Sequence, residues 1–562
     1  MAFRSLTPQF SVSPQLSVAD VGKAAADGFK TIVCARPDGE KTGQIPAGEI
    51  ERAAREQGLA FVAIPVPSGS TPDDAAVAAM RSALGTMPGP VLSYCQGGGR
   101  AARLWALAQA GTMPADAILK AGENAGIDLS ALAPRLTAPE TAVAPKATTP
   151  KPARHFNVVI AGGGAAGLAT AASILRRRPG LSLAIVEPSS THFYQPGWTL
   201  VGGGVFTAEQ TKRPEEGLIP SGATWVRQAV TGFLPDRHEV ALDDGATLSY
   251  DILVVATGLT LDWAAIPGLA ETLGRNGVTS NYRYDLATYT WKLVQGLNHG
   301  TALFTQPPMP IKCAGAPQKA MYLACDAWSR RGVLKDISVA FDTATPALFG
   351  VAAFVPALMA YIERYGIDLT LRSKLVAVDG DRRIATFERT TADGTTRVER
   401  GFDMLHAVPP QTAPAVVSTS PLAGADGFVA VDPATLRHTS FPDVFALGDV
   451  AGTSNAKTAA AVRKHAPIVA VNVLAALDGK APVAAYDGYG ACPLTVERGR
   501  IVLAEFGYGG RLEPTLPLWL LRGTQPTRLA WFLKEKIMPP LYWHAMLRGH
   551  ELMVAPRIAP KA

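Results

Sequence analysis

The segment "NVVIAGGGAAGLATAASILRR", residues 157 to 177, restricts the fold of this chain more than any other. A short apolar strand runs into Gly162, Gly164 and Gly167 in G-x-G-x-x-G spacing, and an Ala-rich helix follows. That order places three glycines at a tight turn where backbone N–H groups and a helix N-terminus can face a diphosphate. "LSLAIVE" then ends in Glu187, twenty residues after Gly167, where a carboxylate can take a ribose hydroxyl. A dinucleotide-binding α/β fold is therefore expected.

Two later stretches extend the pattern. "YDILVVATG" closes on Thr257 and Gly258, and "FPDVFALGD" closes on Gly448 and Asp449. Each is an apolar strand ended by a turn, and in this order they resemble the second and third fingerprints of flavoproteins with two dinucleotide folds. The resemblance implies FAD, with Asp449 at its ribityl chain. A second nucleotide fold lies between those fingerprints in such proteins. Here its first strand, "TALFTQP", is followed by "PMPIKCAGAPQK" in place of a glycine loop. NAD(P)H is not expected to be the electron donor. Pro317 suits a first helical position, so Cys313 stands just before a helix whose dipole favours a thiolate.

With "HFYQPGWTLVGGG", "KCAGAPQK", "AKTAAAV", "YDGYGACPL", "VLAEF" and "PPLYWHAMLRG", residues 155 to 553 resemble the sulfide:quinone oxidoreductases of the flavoprotein disulfide reductase superfamily. The resemblance implies a redox cysteine pair, oxidation of sulfide or a persulfide, electron delivery to membrane quinone, and release of sulfur to a small thiol or sulfite. It also implies Lys457 among the cofactor-binding residues. The family's second redox cysteine follows the Asp of the third fingerprint, and Val450 stands there. Cys325, twelve residues beyond Cys313 along one helix, lies too far away for a disulfide. Cys492 matches no position that the resemblance assigns to redox work. Cys313 is thus expected to act with sulfide, a small thiol or Cys95 as its resolving partner. A non-turnover sulfur sensor is the alternative that the missing cysteine raises.

The N-terminal region alternates helix-like and strand-like segments. In "PVLSYCQGGGRAARLWALAQAG" it sets Cys95 at a strand end, followed by three glycines and Arg100. Loop N–H groups and Arg100 can cradle an anion beside the thiol. Protein tyrosine phosphatases place five residues between Cys and Arg, and here there are four, as in rhodanese-type sulfurtransferases. Residues 3 to about 112 resemble the phosphatase-fold sulfurtransferases related to beta-lactamase hydrolase-like proteins. A phosphatase remains the alternative, with Asp38 of "ARPDGE" its candidate acid and a plain turn residue the simpler reading.

The expected architecture is α/β. Residues 1–130 form the small phosphatase-like domain, and 131–154 a Pro/Ala-rich linker able to span roughly 60 Å. An FAD domain covers 155–265 and 370–495, the second nucleotide-type fold covers 266–369, and an amphipathic helical arm covers 496–562. In that arm Trp519, Trp531, Phe532, Tyr542 and Trp543 interleave with Arg522, Arg528, Lys534, Lys536 and Arg548, a composition suited to a lipid interface.

A net charge of +6 over 562 residues, without a basic run, argues against nucleic acid. Five cysteines without zinc-ligand spacing fit a reducing compartment and no metal. The N-terminus has no signal-peptide core, so a cytoplasmic protein, peripherally bound at the inner face of the membrane, is expected, and a homo-oligomer with it.

Overall fold

The computed structural model describes residues 3–41, 43–68, 71–110, 113–137, 154–454, 456–556 and 558. The chain divides into two compact units, Met1–Thr148 and Thr149–Ala562.

In the first unit five strands order as Arg4–Thr7, Phe10–Ser13, Val91–Tyr94, Thr31–Cys34 and Ala60–Ala63. Only the first pairing is antiparallel. Alternate side chains enter opposite cores: Ile32, Leu92 and Tyr94 pack with Val21 and Ile50, whereas Val33 and Val91 pack with Met80 and Leu104. Helices therefore cover both faces, as parallel strands require. A 3-10 turn at Ser130–Leu132 and a helical turn at Ala133–Thr137 lie where the linker was expected to begin. Of the remaining linker positions, 138–153 lie outside the described residues.

The second unit opens with a seven-stranded sheet. Arg154–Ala161 lies between Leu183–Val186 and Thr247–Val255, and Val444–Ala446 pairs with Thr247–Val255. Ala161, Val255 and Ala446 are in register, so the three fingerprints end side by side. The second fold is a parallel sheet of Val278–Thr279, Met404–His406, Gly300–Gln306, Ile337–Thr343 and Asp368–Leu371.

Two expected boundaries are corrected. The second fold continues past residue 369, because Met404–His406 inserts between Val278–Thr279 and Gly300–Gln306; the residues between carry an antiparallel sheet of Ser373–Asp379, Ile384–Thr391 and Gly394–Gly401. The boundary at 495/496 cuts the strand Gly490–Glu497, which pairs with Arg500–Phe506. The inner face of that hairpin, Cys492, Leu494, Val496, Val502 and Ala504, packs into the core of the second fold beside the helix Ala316–Arg330.

Among the described residues one helix, Ala459–Leu477, is long and apolar enough to cross a membrane by length and composition. It is largely buried, with Val462, Val469 and Val473 in the core of the first nucleotide fold.

Candidate functional site

The cofactor cradle follows from close backbone approach. A Cβ on Gly167 would lie 1.9 Å from the Gly162 carbonyl oxygen, and one on Gly162 would lie 2.5 Å from that of Ala256. Gly162 has φ +110, so both demands select glycine. The helix Ala165–Arg177 starts at this turn and aims its N-terminal N–H groups into it. Glu187 accepts from the N–H groups of Gly163 and Ser189, both at 2.8 Å.

At the other two fingerprints, Gly258 and Gly448 have φ of +73 and +75, and Thr257 Oγ1 is buried without a partner. Burial pushes the Asp449 carboxyl up, against the pull of Lys312 and Lys457. Lys457 donates to the carbonyls of Asp449 and Ala451 at 2.7 and 2.9 Å, so it shapes the third fingerprint loop. A helix N-terminus, an orphaned hydroxyl, a carboxylate at the end of the second strand and three aligned turns fit FAD.

Cys313 sits beside this cradle. Its N–H donates to the Lys457 carbonyl at 2.8 Å, and its φ of +49 is rare for a residue with a side chain. The Tyr282 hydroxyl donates to the carbonyls of Lys312 and Cys313. Lys312 Nζ reaches Gln195 Oε1 at 2.7 Å, and the Lys312 N–H donates to Gln411. Strained but held on several sides, the thiol points to the place where its sulfur meets Cys492 Sγ at 3.7 Å.

That contact gives Cys313 a cysteine partner within the flavoprotein part, where sulfide, a small thiol or Cys95 was expected to resolve it. Val450 is fully buried and packs in the first nucleotide fold; the second sulfur comes from the hairpin strand Gly490–Glu497. Gly315 makes room for it, since a Cβ there would lie 2.6 Å from Cys492 Sγ. Cys325, as expected, is in the core.

The two sulfurs differ electrostatically. The hydrogen bond from Cys492, then the Lys319 ammonium 3.0 Å away, hold Cys313 well below the ordinary thiol value despite burial. The same contact, together with burial, pushes Cys492 well up. Burial opposes the charge on Lys319, but the two sulfurs outweigh it and raise that ammonium. Lys534 is also buried close by; its Nζ donates to the Pro196 carbonyl at 2.9 Å, and burial followed by Lys319 bring it down to about 7. Lys319, Lys534 and Cys492 are not among the expected site residues. The segment "YDGYGACPL" carries the family resemblance at Cys492, but nothing within it points to Cys313, 179 residues away.

In the first unit Cys95 follows the strand Val91–Tyr94, and the Gly98 N–H donates to its Sγ at 3.1 Å at the start of the helix Gly99–Gln109. Arg100 is bound through both terminal nitrogens to Glu40, donates to the Val66 carbonyl at 2.6 Å, and reaches Cys95. Arg100 foremost, with Arg36, holds the Glu40 carboxyl at about 2. Asp38 is exposed and accepts from the Ala47 N–H at 2.8 Å, which caps a helix start. Its turn reading stands.

The aromatic arm is divided. Tyr542 and Trp543 are buried against the first nucleotide fold, and Trp531 donates to Glu535 at 2.6 Å. Trp519 is 84% exposed and Phe532 50%, and they share the surface with Leu518 and Leu520. Tyr542 and Trp543 are therefore removed from the expected lipid-facing set.

Residues 156–466 match the model of the pyridine nucleotide-disulphide oxidoreductases, and residues 2–112 match that of the beta-lactamase hydrolase-like protein, phosphatase-like domain. The mitochondrial sulfide:quinone oxidoreductase of Dictyostelium discoideum is 40% identical over 395 residues, 70% of this chain and 86% of that one. A beta-lactamase hydrolase-like protein of Agrobacterium fabrum is 35% identical over 128 residues, 22% of this chain and 30% of its own length. The crystal structure of the sulfide:quinone oxidoreductase from Aquifex aeolicus superposes with a TM-score of 0.56 at 20% identity, covering 72% and 93% of the two chains, a likeness of fold. With three aligned fingerprints and paired cysteines beside them, the flavoprotein part of this chain belongs to the sulfide:quinone oxidoreductase family of the pyridine nucleotide-disulphide oxidoreductases.

Proposed function

We propose that the protein oxidises sulfide, keeps its sulfur as a cysteine persulfide and sends the electron pair through FAD to a membrane quinone, while Cys95 accepts sulfane sulfur. The observation that carries this reading is the Cys313–Cys492 pair beside Asp449 and the aligned fingerprints.

The cycle begins from the disulfide between Cys313 and Cys492. Hydrosulfide attacks the Cys492 sulfur, forming a new S–S bond and breaking the old one, and Cys313 leaves as thiolate. Attack in that sense follows from leaving-group strength, because Cys313 is the lower-pKa thiol and Lys319 holds its negative charge. A small thiol or sulfite then removes the outer sulfur from Cys492, whose thiolate re-forms the disulfide with Cys313. Re-forming it releases two electrons. FAD, held by the glycine turn with Asp449 and Cys313 beside it, would supply the acceptor for that pair and its passage on to quinone. Cys492 makes the sensor alternative unnecessary.

At Cys95, sulfur transfer is favoured over phosphate-ester cleavage. An alkoxide leaving group needs a general acid. Glu40 is held ionised by Arg100 and Arg36, and Asp38 caps a helix. A thiolate leaving group needs no such acid. Exposed Leu518, Trp519, Leu520 and Phe532, interleaved in sequence with exposed Arg522, Arg528 and Lys536, support docking on a lipid surface from which quinone enters.

Anaerobic titration with sulfide, following the flavin absorbance and then the reduction of decylubiquinone, tests the reading. Bleaching that needs both cysteines supports it. Rapid bleaching by NADH with none by sulfide refutes it.

A further inference from the structure

One buried polar chain plays no part in the sulfur chemistry. Glu215 is 1% exposed, and its Oε2 lies 3.1 Å from His192 Nδ1. His192 Nε2 in turn lies 2.7 Å from the Tyr542 hydroxyl. With Nδ1–H donating to Glu215, Nε2 accepts from Tyr542. The remaining oxygen of Glu215, Oε1, has no partner. It lies 3.1 Å from where a Cβ on Gly163 would stand, and the Gly163 N–H itself donates to Glu187. A buried acceptor without a donor thus stands at the ribose side of the cradle.

The far end of the chain is the C-terminal arm, which grips both flanks of that cradle. Arg548 donates to the Gly217 carbonyl at 2.7 Å, and the Arg213 guanidinium lies 4.5 Å from the Trp543 ring centroid. On the other flank Ser173 and Arg177, from the helix that begins at the glycine turn, both bind Glu551. Gly549 approaches the same helix so closely that a Cβ would lie 2.7 Å from the Ala172 carbonyl carbon.

We infer that Glu215 is a further cofactor contact, accepting from a ribose hydroxyl of FAD, and that its chain through His192 to Tyr542 makes cofactor binding and seating of the C-terminal arm a single equilibrium. The donor that Glu215 lacks is the kind a ribose supplies, and satisfying it fixes the carboxylate that orients His192. Linkage makes the effect reciprocal, so FAD favours the seated arm and the seated arm tightens FAD.

The test compares hydrogen exchange over residues 538–551 in the FAD-loaded full chain and in the same chain stripped of FAD, together with FAD dissociation constants for Glu215→Gln and Tyr542→Phe. FAD is expected to slow exchange in the arm by about tenfold or more, and each substitution to weaken FAD binding by about fivefold or more. Equal exchange with and without FAD in the unaltered chain overturns the coupling, even if a variant fails to fold. Unchanged FAD affinity in a folded Tyr542→Phe protein overturns it as well. Loss of protection in Tyr542→Phe with normal affinity in Glu215→Gln overturns the ribose contact.

Discussion

The sulfur atoms of Cys313 and Cys492 lie 3.7 Å apart across 179 residues of sequence, one before a helix of the second nucleotide fold and the other on a C-terminal hairpin. Each serine substitution, Cys313→Ser and Cys492→Ser, is expected to lower sulfide-dependent quinone reduction by at least roughly a thousandfold while FAD stays bound. Val450→Cys should leave turnover within about twofold, since its site is packed in a different core. Steady-state decylubiquinone reduction checks all three. Near-normal activity of Cys492→Ser would return the resolving step to an external thiol.

Nicotinamide nucleotides should reduce the flavin only slowly. The turn after Gly300–Gln306 carries Pro307, Pro308 and Pro310 where a diphosphate loop needs glycine. Asp342, near the end of the next parallel strand, accepts from Ser373, Arg389 and Arg400 and is not free for a ribose. Stopped-flow mixing of the oxidised protein with NADH or NADPH measures this directly.

Lys534 should leave a mark on stability. Its folded value is about 7, against about 10.4 for a free lysine, so between those pH values the unfolded chain binds more protons and stability rises with pH. Lys534→Met removes that dependence. Relative to this variant, the oxidised wild-type protein should gain thermal stability steadily from pH 7 to pH 10 and stay level below pH 6. Melting curves across that range test the sign.

Cys95→Ser in the full chain should abolish sulfur transfer from thiosulfate or a glutathione persulfide to cyanide. Hydrolysis of p-nitrophenyl phosphate should be negligible with or without Cys95, because Glu40 is held ionised beside Arg100. Efficient phosphatase turnover that depends on Cys95 would reverse this assignment.

The exposed apolar surface makes a separable prediction. Replacing Leu518 and Trp519 together by serine should weaken binding to anionic vesicles by about tenfold or more, leaving flavin reduction by sulfide intact. Co-sedimentation and flavin absorbance report the two properties independently.

What the sequence disclosed follows from where each signal resides. The glycine turn, Glu187 and Asp449 are local motifs whose chemistry is written within a few residues, and the structure brings them to one cradle. Cys95 and Arg100 share one loop and were legible for the same reason. Cys492 and Lys534 reach the site through packing of distant segments, which no local spacing encodes. Tyr542 and Trp543 carry an ambiguous signal, because aromatic side chains suit an interface and a core equally; their contacts with His192 and Arg213 decide for the core. The strand Met404–His406 is three residues long, too short for any periodicity to assign it to the second sheet.

Because Cys492 belongs to a hairpin near the carboxyl end, a ribosome finishes every fingerprint before it supplies the second sulfur. A partly synthesised chain therefore carries Cys313 without the partner needed for its disulfide. Sulfide cannot be oxidised by that partner-dependent cycle until the last strands have emerged and docked, so a product ended before residue 492 lacks both the second sulfur and the arm that packs on the cofactor cradle, and truncation silences the chemistry rather than leaving it unregulated.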